Sequence, residues 1–238
     1  MRIERDVIDI DEKLTSNFWE KRARRGLKLK TVLLNETLDD EILQKRNNKE
    51  LDIVKSVLPE NASILDIGCG LGRWADNLKN DIKFYQGIDN SVSLIEIARK
   101  RFEENDNIEF LNMSASKIIP ENLNSDFDVA IITGVMMYIN DKDIFGILDY
   151  MNRTVDKFIY IQESICTKEG RLTLDNIYSE SLSDNYSAIY RTQEEYENFY
   201  KKSLTNFIIE KTDLLLDNEM SLHEETNARY WILKRVEK

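Results

Sequence analysis

Cysteine, proline and histidine are all scarce in this chain. Its 238 residues contain two cysteines, two prolines and one histidine. Cys69 and Cys166 are too few and too far apart for a disulfide framework or a paired-cysteine metal motif, although one disulfide stays open. We therefore expect reduced thiols and an intracellular setting. The single histidine, His223, leaves little room for a proton relay through histidines, and no metal site is predicted.

Long apolar runs and an excess of positive charge are missing as well. No apolar stretch approaches the ~20 residues that cross a bilayer. The first residues, MRIERDVIDIDEK, are charged and lack the apolar stretch of a secretory signal. We therefore expect a cytoplasmic protein without a membrane span. The net charge of -11 argues against general nucleic-acid binding, which depends on cationic side chains that release counterions.

The composition predicts one α/β domain with an appendage. The chain is 42% hydrophobic and 32% charged, which is ordinary for a globular protein with a real core. Residues 1–58 are predicted to be a helical segment or lid, because apolar residues recur at helical spacing over 40–58 and Pro59 ends the pattern. Residues 59–238 are predicted to form the main domain.

Strand and helix patterns alternate from residue 62 to residue 163. The predicted strands are 63–67, 84–88, 108–112, 127–133 and 157–163, and the predicted helices between them are 72–80, 91–105 and 141–151. This alternation predicts a doubly wound, mostly parallel sheet. Two final strands, 206–213 and 230–236, bring it to seven strands. The polar segment of about 165–204 is predicted to be an inserted helical cap.

A glycine-rich turn follows the first predicted strand. The segment ILDIGCGLGRW, 64–74, leads from an apolar strand through three alternating glycines into a predicted helix. Glycine lets the backbone pass close to a ligand, although this spacing alone is weak evidence. The context strengthens it, because Asp66 precedes the first glycine and Asp89 ends the next strand. A carboxylate at that place can accept both hydroxyls of an adenosine ribose.

These features resemble the class I, Rossmann-like S-adenosylmethionine-dependent methyltransferases, whose first motif reads [VIL]LD[VIL]GCGxG. The resemblance covers residues 62 to about 163 and implies S-adenosylmethionine as the cofactor. It implies that the glycine loop holds the amino-acid end of the cofactor and that the acid after the second strand holds the ribose. The implied contacts are Asp66, Gly68, Cys69, Gly70, Gly72, Asp89, Asn90 and Ser91. The alternative is a Rossmann-like domain with an inactive or different nucleotide site.

Two later segments carry the resemblance further. The family usually has Gly-Asp-Ala after the third strand, whereas this chain has Met-Ser-Ala at 113–115, so the acid near the adenine is absent. The segment DVAIITGVMMYI, 128–139, is similar to the strand and loop that line the methyl-transfer site. The implied contacts are Ser114, Ala115, Thr133 and Gly134 for the cofactor, and Met137 and Tyr138 for the acceptor. Core packing is the alternative for the last two.

The sequence indicates less about the methyl acceptor than about the cofactor. Methyl transfer to a phosphate, a carboxylate or an amine proceeds without a strong base, whereas a sugar hydroxyl needs one. Glu163, at the end of the fifth predicted strand, is the best-placed carboxylate for that role. His223 is the second candidate, with a surface position as its alternative, and Tyr138 completes the catalytic candidates.

Two flanking segments look similar to stretches in bacterial methyltransferases of surface-polysaccharide assembly. They are QKRNNKELDIV, 44–54, and SAIYRTQEEY, 187–196. The resemblance implies that Arg46, Asn47, Tyr190 and Arg191 face the acceptor. Arginine binds phosphate or carboxylate bidentately, and tyrosine stacks on sugar rings. Surface ion pairs are the alternative for the two arginines.

The sequence therefore predicts O-methylation of a sugar, a glycan phosphate or a related small molecule in bacterial polysaccharide synthesis. The segment FWEKRARRG, 18–26, is predicted to cover the cofactor, with Trp19 and Arg22 pointing inward. One alternative is N- or O-methylation of another metabolite, such as an amino sugar. Another is a non-catalytic cofactor-binding partner. Asp66 and Asp89 argue against it, because a site that has lost its activity need not keep these residues.

Overall fold

A seven-stranded sheet forms the centre of the molecule. The structure, a computed structural model, describes residues 1–25, 40–124, 126–180, 182–215 and 224–236. In chain order the strands are β1 (Arg2–Glu4), β2 (Ala62–Ile67), β3 (Ile82–Asp89), β4 (Ile108–Asn112), β5 (Phe127–Thr133), β6 (Val155–Cys166), β7 (Leu172–Ser179), β8 (Asp184–Tyr190), β9 (Phe207–Leu214) and β10 (Thr226–Arg235). The central sheet has the order β4-β3-β2-β5-β6-β10-β9. Only β10 runs antiparallel to its neighbours in it.

Helices cover both faces of this sheet. They are α1 (Glu12–Arg25), α2 (Asp40–Lys55), α3 (Arg73–Leu78), α4 (Val92–Arg101), α5 (Asp141–Thr154) and α6 (Gln193–Ser203), with short 3-10 turns at Ala115–Lys117, Pro120–Asn122 and Met136–Tyr138. Alternate strand residues enter opposite layers, as the two-residue period of a strand requires. Leu65 packs in the layer that contains α5 and α6, and Ile64 packs in the layer that contains α3 and α4.

The helix α5 shows how the sequence forms the first of these layers. Its buried residues Ile144, Ile147, Leu148 and Met151 recur every three or four positions, which places them on one face. That face packs against the sheet in the larger core cluster. The predicted α/β fold with a seven-stranded, mostly parallel sheet is confirmed. In the described parts of the chain, no helix is both long enough and apolar enough to cross a membrane.

The chain reverses its direction of winding at β2. This strand pairs in parallel with β3 on one side and with β5 on the other. The connections that follow β2 and β5 therefore lead to opposite sides of the sheet. A crevice opens between them at the carboxyl ends of these two strands. In open α/β sheets, ligands bind at such a switch point.

The segment predicted as a helical cap has a different structure. It begins with a hairpin of β7 and β8, which pairs with β1 in a separate three-stranded sheet. The helix α6 follows and packs in the main core rather than over the site. Residues 1–25 also begin with a strand before the helix α1. The domain boundaries themselves stay a prediction.

Candidate functional site

A cavity of about 590 Å³ opens at the carboxyl ends of the central strands. Its walls come from the loops after β2, β3, β4 and β5, and α1 closes one side. The predicted residues that line it are Trp19, Gly68, Gly70, Asp89, Asn90, Ser114, Ala115, Thr133, Gly134 and Tyr138. Most of the predicted cofactor residues thus meet in one place, although their contacts with a ligand stay a prediction.

The glycine loop approaches the turn after β5 very closely. Gly68 has a φ of +77°, and a Cβ built on it would lie 2.2 Å from Cγ2 of Val135. Its N–H donates to the carbonyl of Ile88 at 2.8 Å, which ties the loop to β3. Any side chain at Gly68 would therefore push the two walls of the cavity apart.

Asp66 lies beneath this loop and is 1% exposed. The hydroxyl of Tyr85 donates to its Oδ2, while its Oδ1 has no hydrogen-bond partner. Burial raises the pKa of Asp66 to about 7, against the hydrogen bond from Tyr85. A buried carboxylate oxygen without a donor is costly. Asp66 does not line the described wall of the cavity, so its contact with the cofactor stays a prediction.

Cys69 and Gly72 support the glycine loop from below, and their contact with the cofactor stays a prediction. Cys69 is 4% exposed, and its Sγ would lie 2.8 Å from a Cβ built on Gly87. The thiol therefore fills the space under the loop. At Gly72, φ is +78° and a Cβ would come within 2.9 Å of Phe102 and Phe110. Neither residue lines the described wall of the cavity.

Asp89 holds the loops on both sides of it. Its Oδ2 accepts from the Gly70 N–H at 3.0 Å, and its Oδ1 accepts from the Ser91 N–H at 2.9 Å. Burial raises the pKa of Asp89, and these backbone donors oppose the rise. Each carboxylate oxygen keeps a further lone pair. Asp89 can thus accept hydroxyl groups from a ligand while it orders its own loop.

Ser91 has a structural place rather than the predicted one beside the adenine. It is 1% exposed, and its hydroxyl accepts from the Leu94 N–H as the cap of α4. The same hydroxyl donates to Glu20 of α1 at 2.7 Å. Ser93 also donates to Glu20. These bonds fasten α1 to the start of α4, next to the cavity.

The helix α1 presents Trp19 to the cavity, as predicted for an inward-facing residue. Its ring lies 5.5 Å from the ring of Tyr138 at an angle of 84°. Arg22 is 1% exposed and stacks over Phe18 at 5.5 Å. It does not line the described wall of the cavity, so the structure gives no support to its predicted cofactor contact. The role of this segment as a lid stays a prediction.

Glu163 is placed to hold a turn, which contradicts its predicted role as a base. It is fully buried. Its Oε1 accepts from the Val135 and Met136 N–H groups at 2.9 Å, and its Oε2 accepts from Met137 N–H at 3.3 Å. Burial raises its pKa to about 7 against these donors. Because three backbone donors occupy the carboxylate and it does not line the cavity, it is not available to an acceptor.

Tyr138 lines the cavity at the end of this turn. Its hydroxyl lies 3.0 Å from that of Tyr186, which lies 3.2 Å from that of Tyr190. Burial raises the pKa of Tyr138 well above its usual range. The neutral hydroxyl can orient an acceptor by hydrogen bonding, but it is a poor base. Met137 packs among apolar side chains in a core cluster, so the core-packing alternative holds for it.

Arg191 is fully buried and bonds to the protein itself. It donates to the carbonyls of Met136 and Ile139 at 2.8 and 2.7 Å, and to Asp141 at 2.6 and 2.8 Å. The predicted contact with a substrate is therefore wrong in this structure. A buried guanidinium needs several acceptors, and this turn supplies them. Tyr190 remains partly exposed on the hairpin.

Arg46 and Asn47 lie in another cluster, away from the cavity lining. Arg46 pairs with the fully buried Glu50 at 2.9 Å, and Asn47 accepts from Arg73 at 3.1 Å. Arg73 also pairs with Glu50, at 2.6 Å. These bonds join α2 to the start of α3, directly after the glycine loop. The ion-pair alternative for Arg46 holds, although the pair is buried rather than on the surface.

Several residues of the site were not predicted. Thr15, Ser16 and Lys117 line the cavity, and Glu20 and Tyr186 support its wall. Of these residues, only Tyr186 could have been suspected from the sequence, because its strand is rich in tyrosine. His223 lies outside the described residues. Among the described residues, no group of three His, Cys, Asp or Glu side chains is arranged to hold a metal ion.

Comparison with known families agrees with this geometry. Residues 64–157 match a family described as a methyltransferase domain. The matched stretch contains the glycine loop, Asp89 and Tyr138. The match, together with solved structures of this fold that bind S-adenosylmethionine or S-adenosylhomocysteine, supports S-adenosylmethionine as the cofactor.

Curated relatives match only a short part of the chain. The carboxy-S-adenosyl-L-methionine synthase of Campylobacter jejuni subsp. doylei is 39% identical over 61 residues, which are 24% of this chain and 26% of that protein. The chain thus matches about a quarter of the length of these relatives.

Solved structures match over nearly the whole chain. A SAM-dependent methyltransferase from Leishmania major has a TM-score of 0.71 at 15% identity, covering 94% of this chain and 82% of that one. Phosphoethanolamine N-methyltransferase 1 from Haemonchus contortus has a TM-score of 0.72 at 21% identity, covering 95% of this chain and 49% of that one. Identities this low show a shared fold.

Proposed function

We propose that this protein transfers the methyl group of S-adenosylmethionine to a small polar acceptor. One observation carries the proposal: a single cavity joins the glycine loop and Asp89 to the turn that carries Tyr138. When bound, the cofactor would supply an electrophilic methyl group on a positively charged sulfur. The residues of the chain then bind, orient and shield the reacting groups.

The cofactor end of the cavity has a donor and acceptor set that fits this ligand. Asp89 would accept the ribose hydroxyls, and the backbone at Gly68 and Gly70 leaves room for the amino-acid part. The unpartnered Oδ1 of Asp66 would accept from the ammonium group. Trp19 and the rest of α1 would keep water out. Positioning of this kind lowers barriers by about 7–11 kcal/mol in well-aligned systems.

The other end of the cavity favours an acceptor that needs no strong base. Among the described lining residues the carboxylates are Glu12 and Asp89, and Glu163 is held by the turn. Lys13 and Lys117 line the same cavity together with Glu12, which interacts electrostatically with Lys117. We therefore propose an anionic oxygen, as in a glycan phosphate or a carboxylate, rather than a simple sugar hydroxyl, as the methylated atom.

A second candidate is methylation of an amine. The aromatic side chains of Trp19 and Tyr138 line the cavity, and an aromatic face attracts a cationic amine. The structural neighbour from Haemonchus contortus is itself named for N-methylation of phosphoethanolamine. An amine that binds in its cationic form must first lose a proton to water, and the lone pair of its neutral form then attacks the methyl group.

Transfer of radioactive methyl from S-adenosylmethionine tests the proposal and separates the candidates. The acceptors would be phosphorylated sugars and nucleotide sugars, sugar acids, amino sugars, and neutral sugars as the matched control. We expect labelling of a phosphate or carboxylate class, with Tyr138→Phe lowering the rate. Labelling of amino sugars alone would favour the second candidate. Cofactor binding without transfer to any class would favour a non-catalytic partner.

A further inference from the structure

Two buried charges hold the turn after β5 from opposite sides of its backbone. Glu163 accepts from the N–H groups of Val135, Met136 and Met137. Arg191 donates to the carbonyls of Met136 and Ile139. Buried backbone groups must be paired, and here side chains from β6 and from the end of β8 do the pairing. The conformation of the turn therefore depends on both elements.

Asp141 connects Arg191 to the other end of the same hairpin. It accepts from Arg191 at 2.6 Å and from Arg171 at 2.9 Å. Arg171 stands just before β7 and Arg191 just after β8, so both ends of the hairpin meet one carboxylate at the start of α5. Arg171 is 5% exposed and Arg191 is fully buried, whereas the side chain of Asp141 is 25% exposed. Arg171 also pairs with Glu195 of α6 at 2.7 Å.

A second contact lies at the cavity wall. Tyr138, on the turn, has its hydroxyl 3.0 Å from the hydroxyl of Tyr186, on β8. Their rings meet edge to face at 6.0 Å. The hairpin thus touches the turn both at its root, through Arg191, and along its length, through Tyr186.

We infer that Asp141, acting through Arg191, positions Tyr138 and couples the β7–β8 hairpin to the turn that lines the cavity. Asp141, Arg191 and Glu163 are positioning residues, because none of them lines the cavity. A ligand that moves the hairpin would move the turn with it. The consequence for methyl transfer rests on the proposed function, whereas the coupling itself is a property of the protein without ligands.

Hydrogen exchange of the ligand-free protein tests the coupling. In Asp141→Asn and in Arg191→Lys, we expect the amides of 135–139 and of 184–190 to exchange faster together, by about tenfold or more. Strand β2 should keep its protection. Arg191→Lys keeps the charge but loses the multiple bonds of the guanidinium, so it supplies the result if Asp141→Asn does not fold.

The matched control is Asp128→Asn, near the amino end of the central strand β5. Asp128 pairs with Lys157 at 2.8 Å and accepts from the Ser63 N–H at 2.9 Å. This variant should leave both segments protected. Faster exchange in only one of the two segments would overturn the coupling. The same pattern in the control at an equal loss of Tm would also overturn it, since general instability would then explain both.

A binding and kinetic measurement checks the positioning role separately. Arg191→Lys should keep its affinity for S-adenosylhomocysteine within about twofold, because Arg191 bonds to neither the glycine loop nor Asp89. With an acceptor found by the transfer assay, its kcat should fall at least tenfold. An unchanged kcat would contradict positioning, whereas loss of binding in the unmodified protein would contradict only the proposed function.

Discussion

The two ends of the cavity use charged residues in opposite ways. At the glycine-loop end, Asp89 stands in the cavity wall and its neighbours orient it towards a ligand. At the other end, Glu163 and Arg191 are fully buried and satisfy the backbone of a turn. A charged residue near the end of a strand can therefore bind a ligand, or it can satisfy the hydrogen bonds of the protein's own backbone.

The largest effect is expected for Asp89→Ala. The variant loses a charged hydrogen-bond acceptor for the ribose and for two loop amides, and such bonds contribute about 1.5–3 kcal/mol each. The affinity for S-adenosylmethionine should fall by about 10- to 100-fold, as measured by calorimetric titration. Asp128→Ala, near the amino end of the central strand β5, is the control. An affinity within about threefold of the unsubstituted protein would refute the role of Asp89.

The next effect is a pH dependence of cofactor binding through Asp66. Burial raises its pKa to about 7, so the free protein holds a proton there at lower pH. An ammonium group needs the ionised form. Binding should therefore release a proton, and affinity should rise with pH by up to about tenfold per unit below 7. Asp66→Asn should bind weakly and show a flat profile between pH 5.5 and 7. A steep profile in that variant would assign the proton to another group.

A smaller effect is expected for a substitution at Gly68, where the two ends of the cavity are in contact. Gly68→Ala forces a side chain into a φ of +77° and against Val135. Left-handed backbone costs a non-glycine residue roughly 1–2 kcal/mol, and the collision adds to it. Both the Tm and the cofactor affinity should fall. Val135→Ala in the same chain should recover part of the loss. If it recovers nothing, the contact between the two walls is not what requires glycine.

The smallest effect is expected on the hairpin. Tyr190→Phe removes one hydrogen bond, to Tyr186, whereas Tyr186→Phe removes two. At about 0.5–1.5 kcal/mol per bond, urea denaturation should rank Tyr186→Phe as the less stable. Cofactor affinity should stay within about twofold in Tyr190→Phe. A larger change would mean that the hairpin reaches the cofactor end.

Local patterns predicted one half of the site well. The strands at 108–112 and 127–133 have the predicted bounds, since their apolar runs are bounded by polar turns. The glycine loop and Asp89 could also be predicted, because such a loop binds through its backbone and needs a fixed glycine spacing. The domain match over residues 64–157 includes this part of the chain.

The other half depends on contacts between distant residues. The residues next to Glu163 in the sequence do not indicate that three backbone amides from another loop donate to its carboxylate. Those next to Arg191 do not indicate that it pairs with Asp141. Similarly, Glu20 and Ser91 are 71 positions apart. The hairpin was predicted as helical because its segment is polar and rich in tyrosine, with only weak alternation. Its strands form by pairing with each other and with β1.

Calorimetric titration of the purified protein with S-adenosylmethionine, and separately with S-adenosylhomocysteine, tests the central claim most directly. The account predicts one site with micromolar affinity for each ligand, weakened by Asp89→Ala and kept by Asp128→Ala. No heat of binding with either ligand, in a protein shown to be folded, would contradict it.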